Sequence, residues 1–209
     1  VEIVFGTGNK HKLQEVQALM PEDIQLLSLS DIDFTLPLPE THDTIDENAI
    51  EKVSFLYHQI HRACFAEDTG LVVPALDGEP GVYSARYAGV PSNDVNNYHK
   101  LLNRMAVIQD RYAYFKTVIA FIDATGSLST FEGILEGEIA NIPKGNNGFG
   151  YDPVFLMPDS RTLAEYNLTE KLKCSHRSKA LKKFLIHINE NLLCFRDTFP
   201  HNLLKNHAT

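Results

Sequence analysis

Two strand patterns, residues 112–123 and 128–142, flank Thr125-Gly126 with only a tight reversal between them. Such a pair reads as a long antiparallel hairpin. It constrains the fold most because the chain opens differently. Val1 to Phe5 is a short strand, Gly6-Thr7-Gly8-Asn9 breaks it, and Leu13, Val16, Leu19 and Met20 then share one helical face from Lys10 until Pro21. Strands that first alternate with helices and then come as a hairpin predict an α/β fold. Its core is a mixed β-sheet, and its polar turns gather in a cleft.

Between these ends, Thr44-Ile45-Asp46-Glu47 reads as a capping box, with the Thr44 hydroxyl on the Glu47 amide and the Glu47 carboxylate on the Thr44 amide. Behind it Ile45, Ala49, Val53, Leu56, Tyr57 and Ile60 mark an amphipathic helix. Ala63 to Ala66 is a short strand, Glu67-Asp68-Thr69-Gly70 a polar turn, and Leu71 to Val73 a second strand-like piece. A Gly- and Pro-rich stretch, 78–91, precedes a helix from Ser92. Residues 154–156 form a short strand, and a last helix runs from about Ser175 to Leu193. One domain covers 1–195, and the polar tail 196–209 is open to disorder.

The charge balance excludes some functions. A formal net charge of -8 lacks the basic footprint of a nucleic-acid binder. No apolar run reaches the length of a membrane span, and no signal peptide is visible. Cys64, Cys174 and Cys194 lack zinc spacing and suit the reduced thiols of a cytoplasmic protein.

Chemistry-bearing residues cluster in the turns. Thr7-Gly8-Asn9-Lys10-His11-Lys12 opens a helix directly after a strand, where amides and lysines favour a phosphate. The same residues also suit an ordinary Asn9 cap with solvated lysines. Glu40 and Glu67-Asp68 supply carboxylates of the kind magnesium takes, and Glu67-Asp68-Thr69-Gly70 equally suits a plain turn. Neighbours on a strand face opposite ways, so Glu67 and Asp68 are not expected to be equivalent. Glu47 is divided between metal and cap. Lys52 either reaches a phosphate over its helix start or is solvated. Phe149-Gly150-Tyr151-Asp152 puts two rings and a carboxylate beside a Gly/Asn-rich backbone, parts suited to a flat heteroaromatic base or to a long hairpin loop. Lys171, Lys173, His176 and Arg177 precede or open the last helix. Arg86 between Tyr83 and Tyr87 suits a cation–π contact or a self-association surface.

Taken in order, these pieces resemble one family, the inosine/xanthosine triphosphate pyrophosphatases (ITPase-like). The matching runs include Thr7 to Lys12, Glu47-Asn48-Ala49, Glu67 to Leu71, Pro80 to Gly89, Gly148 to Phe155 and Ser175-His176-Arg177. The resemblance implies a long mixed β-sheet with flanking helices, two lobes with the active-site cleft between them, and a homodimer. It also implies magnesium-dependent hydrolysis of ITP, dITP and XTP to monophosphate and pyrophosphate. By the same resemblance, Thr7, Gly8, Asn9, Lys10, His11 and Lys12 would hold the triphosphate, with Lys52 nearby. Glu40 and Asp68 would hold the metal, with Asp68 the general base, and Thr69 would touch substrate. Phe149, Gly150, Tyr151 and Asp152 would wall the base and ribose, and Lys171, His176 and Arg177 would read the purine. Glu67 stands where many bacterial members have Asp, Lys144 to Asn147 is unusual at the loop entry, and the tail is longer than the family needs. A house-cleaning pyrophosphatase for another modified nucleotide, and a nucleotide-binding module without turnover, are the alternatives.

Overall fold

The computed structural model describes the backbone of residues 1–198 and the side chains of residues 1–190. A six-stranded mixed sheet runs in the order β2-β1-β3-β4-β5-β6. Its strands are β1 (Glu2–Gly6), β2 (Gln25–Ser28), β3 (Cys64–Val72), β4 (Tyr112–Ile122), β5 (Leu128–Ile139) and β6 (Phe155–Leu156). β1 lies parallel to both β2 and β3, and β3 to β6 are antiparallel. The hairpin and the mixed sheet are as the sequence predicts. β2 was not foreseen: QLLS is too short to carry a period of its own.

The helices are α1 (Lys10–Gln17), α2 (Ile45–Ile60), α3 (Asp94–Arg104), α4 (Leu168–Cys174) and α5 (His176–Thr198). α5 continues past the expected end near 193 and past the expected domain limit at 195. The rest of the proposed tail, 199–209, lies outside the described residues. At α2, the Thr44 hydroxyl accepts the Glu47 amide as expected, but the Glu47 carboxylate accepts from that same hydroxyl at 2.7 Å rather than from the Thr44 amide.

Strand alternation divides the core. Ile3, Phe5, Phe65, Ile119 and Phe121 face α1 and α5 with Val16, Leu181 and Phe184. Val4, Cys64, Ala66, Val118 and Ala120 face α2 with Ala49, Val53 and Leu56. A third cluster gathers Leu71, Phe115 and Leu135 at the far end of the sheet with Leu101 of α3, Tyr151 and Phe155. Between the first two clusters and the third, β3 carries Glu67-Asp68-Thr69. This polar band separates the apolar clusters on either side of it and is where a cleft can open.

Those residues were expected to form a turn. They are instead the middle of one nine-residue strand, paired to β4 throughout. The polar side chains stay in the ladder because cations from the helices meet them, as described below. Gly70 belongs there for a steric reason: a Cβ would lie 2.5 Å from the Gly81 carbonyl oxygen. Pairing of β1 with β3 ends at Gly6–Ala66, so β1 turns away where the polar band begins. The crevice therefore lies at the carboxyl end of β1, where ligands of open α/β sheets are bound.

Candidate active site

A cavity of about 770 Å³ opens at this point. It is lined by the 7–12 turn, Glu40, Lys52, Asp68, Thr69, the 149–152 loop, Lys171, His176 and Arg177, so the site residues implied by the resemblance meet in one place, whereas Glu47 does not line it. Lys173, grouped with the basic residues before α5, is exposed on α4 and does not line it.

The 7–12 turn is built by its own side chains. Asn9 caps α1, its Oδ1 accepting the His11 and Lys12 amides at 2.9 and 3.2 Å, and Thr7 Oγ1 accepts the Asn9 amide at 3.2 Å. Nothing lies within 4 Å of a Cβ built on Gly8, so the backbone there faces open space.

Glu67 and Asp68 point to opposite faces of β3, as strand geometry requires. On the α2 face, Lys52 Nζ donates to Asp68 Oδ1 at 2.7 Å and to Glu40 Oε1 at 2.8 Å, while Arg86 holds the other Glu40 oxygen at 3.2 Å. Lys52 is thus buried and bridging rather than solvated. Burial alone would lower its pKa, but the two carboxylates outweigh burial and raise it. Asp68 is raised by burial in spite of Lys52. Arg86 also lies over the Tyr83 ring, 5.4 Å from its centroid.

On the α5 face, Arg177 is 1% exposed and its guanidinium is committed. Nε donates to both Glu67 oxygens at 3.0 and 2.9 Å, Nη2 reaches Glu67 at 2.9 Å, and Nη1 pairs with Glu15. Lys12 adds to Glu67 at 3.1 Å, and Lys171 bridges Glu15 and Asp152 at 2.8 and 2.6 Å. Burial would raise Glu67, yet Arg177 and Lys12 hold it far below the usual carboxylate range. Glu15 had no signal in the sequence. It lies beside Val16 in the apolar stripe of α1 and is recognisable only once Arg177 arrives from α5, 162 positions away.

The aromatic wall is Phe149. Its ring stacks on His11 at 5.1 Å, with Lys171 Nζ 4.8 Å and Arg177 Cζ 5.7 Å from its centroid. The loop is held by Asp152 Oδ2, which accepts the Phe149 amide at 3.0 Å, and by Asp94, which accepts the Gly150 amide at 2.7 Å. Gly148 takes φ +76°, and a Cβ there would lie 1.9 Å from Asp152 Oδ2. Tyr151 is buried, its hydroxyl donating to the Ser84 carbonyl at 2.8 Å. His176 stacks on Phe115 at 4.7 Å. Burial first, and then Arg177 and Lys171, push its pKa well below the ordinary value, so the ring is neutral at pH 7.

Residues 3–187 match the model of the Ham1 family. The chain is 47% identical over 192 residues to a dITP/XTP pyrophosphatase of Christiangramia forsetii, covering 91% of this chain and 100% of that protein. It is 42% identical over 186 residues to a dITP/XTP pyrophosphatase of Bacillus licheniformis, covering 87% and 95%. Among solved structures, the Staphylococcus aureus Ham1 protein superposes with a TM-score of 0.84 at 36% identity, covering 91% of this chain and 100% of that one.

Proposed function

The chain belongs to the Ham1 family, and from that premise we propose that it is a nucleoside triphosphate pyrophosphatase. It takes ITP, dITP and XTP to the monophosphate and pyrophosphate, removing deaminated purines from the nucleotide pool. The observation that carries this reading is one cavity in which a carboxylate–lysine cluster on one sheet face adjoins an aromatic wall and a neutral imidazole on the other. A triphosphate needs the first and a purine the second.

The donor set suits a hard divalent cation, and we take it to be magnesium. Glu40 and Asp68 converge on one point, now held by Lys52 Nζ, and both offer oxygen. Among the described residues no group of three or more His, Cys, Asp or Glu could hold a metal ion. Such an ion completes its shell with water and substrate phosphates. When bound, the ion supplies charge neutralisation at the phosphates and lowers the pKa of water. The chain's own residues do the rest. Lys52, Lys10 and Lys12 offset charge on the leaving pyrophosphate, and the α1 turn orients the phosphates. Asp68 orients the attacking water and takes its proton, while Thr69 borders the same position. Phe149 gives the base a face to stack on, and Gly150 to Asp152 shape the ribose side. His176 meets the purine edge, with Lys171 and Arg177 holding the carboxylates behind it. A 6-oxo group presents an acceptor where adenine presents a donor, so the mismatch penalises ATP.

In a pyrophosphate-release assay with magnesium, we expect ITP, dITP and XTP to be turned over at least about a hundredfold more efficiently than ATP. Comparable efficiency on ATP, or release of single phosphate, would overturn the reading. We place the enzyme in the cytoplasm because its nucleotide substrates are pooled there. The net charge of -8 argues against a nucleic-acid partner.

We expect a homodimer with the Tyr83–Gly89 segment at or near the interface. Tyr83 and the adjoining Val90 are 51% and 86% exposed, and tyrosine and arginine are enriched in such surfaces. Sedimentation velocity at micromolar concentration should give a dimer, and a monomer there would sink the expectation.

A further inference from the structure

Behind the cavity, two threonines connect Arg177 to the imidazole. Thr69 and Thr117 are opposite partners of the β3–β4 ladder. Their hydroxyl oxygens lie 2.6 Å apart, and Thr117 Oγ1 lies 2.6 Å from His176 Nδ1. Thr117 has no exposed surface and does not line the cavity. The His176 ring does line it, and Nε2, with no bonding partner among the described residues, is the nitrogen left to face it.

Each hydroxyl carries one proton, so the direction of the chain can be counted. Arg177 Nη2, which can only donate, approaches Thr69 Oγ1 at 3.4 Å. Among the described residues the Thr69 proton has two acceptors: Thr117 Oγ1 at 2.6 Å, or Glu67 Oε1 at 3.4 Å. The second contact exceeds the ordinary O–H···O range of about 2.5–3.0 Å. That Glu67 oxygen also already receives Arg177 and Lys12. The proton therefore lies toward Thr117, and the Thr117 proton has only His176 Nδ1 left to reach. A neutral imidazole that accepts at Nδ1 carries its proton on Nε2.

We propose that Thr117 is a specificity-positioning residue: relayed through Thr69, its hydroxyl locks His176 as the Nε2–H tautomer, so that the cavity presents a donor to the purine edge. The donor matches the 6-oxo group of hypoxanthine or xanthine and meets the 6-amino group of adenine as donor against donor. This deepens the pyrophosphatase reading and rests on it in one respect, that His176 is the group at the purine edge. Reversal of the relay would make Nε2 an acceptor and favour adenine, so the two threonines decide the sign of the selection.

The first test needs no substrate. Long-range proton–nitrogen correlation spectra of the full chain labelled in histidine, with the His176 signals assigned by their loss in His176→Gln, should show Nε2 protonated and Nδ1 bare at neutral pH. An Nδ1–H or doubly protonated ring would overturn the proposal. The second test uses Thr117→Val, which keeps the shape and removes the hydroxyl. Its kcat/KM for ITP should fall about three- to tenfold while that for ATP changes less than twofold, and Thr117→Ser should restore the ratio. Equal loss on both nucleotides, or no recovery with serine, would overturn it. Should Thr117→Val not fold, the wild-type spectrum and Thr117→Ser still decide. If no purine triphosphate is hydrolysed, the functional reading falls, and the tautomer still reports on the relay alone.

Discussion

Asp68→Asn is expected to lower kcat on ITP by about 10³-fold or more while leaving the fold as stable as before. The replacement keeps the shape and removes the charge. Lys52 keeps Glu40 as a partner at 2.8 Å, so no buried ammonium is left alone. Burial raises the Asp68 pKa in the folded protein. A carboxyl raised on folding contributes stability at low pH and loses it as pH rises through the folded value, so its charge at neutral pH works against the fold. Asparagine should therefore unfold within about 1 kcal/mol of wild type, or later. A charge that costs stability and sits between a lysine and an open cavity needs a functional reason. Steady-state pyrophosphate release and urea denaturation check the two halves separately. Near-normal turnover would reduce Asp68 to a strand residue, and collapse of the fold would make any loss of activity uninformative about its chemistry.

The legibility of this site followed sequence distance. The 7–12 turn and the 149–152 loop were readable as local structures because each is contiguous and its residue types act locally: Asn9 caps within three residues, and Asp152 holds the Phe149 amide from three positions away. The Glu67–Gly70 segment was misread for the opposite reason. Local propensity makes Glu-Asp-Thr-Gly a turn, but Lys52 from α2 and Arg177 from α5 neutralise the carboxylates, and the ladder with β4 runs through unbroken. The expectation that Glu67 and Asp68 are not equivalent rested on strand alternation alone and survived that misreading. Glu15 and Thr117 gave no sign at all. One is an acid in an apolar helical stripe and the other a β-branched residue in a strand, and each acquires a role only through a partner brought by α5. The short β2 and α4 were lost for want of a full period.

Arg177 shows how far those distant partners matter. Its resemblance-based role is to read the purine, yet its contacts favour holding Glu67 and Glu15. Arg177→Ala removes one cation from two buried carboxylates, leaving Lys12 for Glu67 and Lys171 for Glu15. Breaking a buried pair on one side costs about 3–5 kcal/mol, a large share of the roughly 5–15 kcal/mol that holds a domain folded. The loss should depend on pH in a definite direction. Burial alone would raise the Glu15 carboxyl, but Arg177 and Lys171 outweigh it and keep the folded pKa below the ordinary 4.5. Such a group adds stability above its unfolded pKa and loses it as pH falls through the folded value. The variant lacks most of that contribution, so the gap to wild type should be widest near pH 7 and close progressively below about pH 4. Urea midpoints across that range measure it, and kcat/KM taken well below the unfolding temperature should fall for both ITP and ATP, somewhat more for ITP because Arg177 also anchors the relay at Thr69. A stability gap independent of pH would remove the carboxylates from the explanation. A loss confined to ITP, with stability unchanged, would return Arg177 to the purine edge.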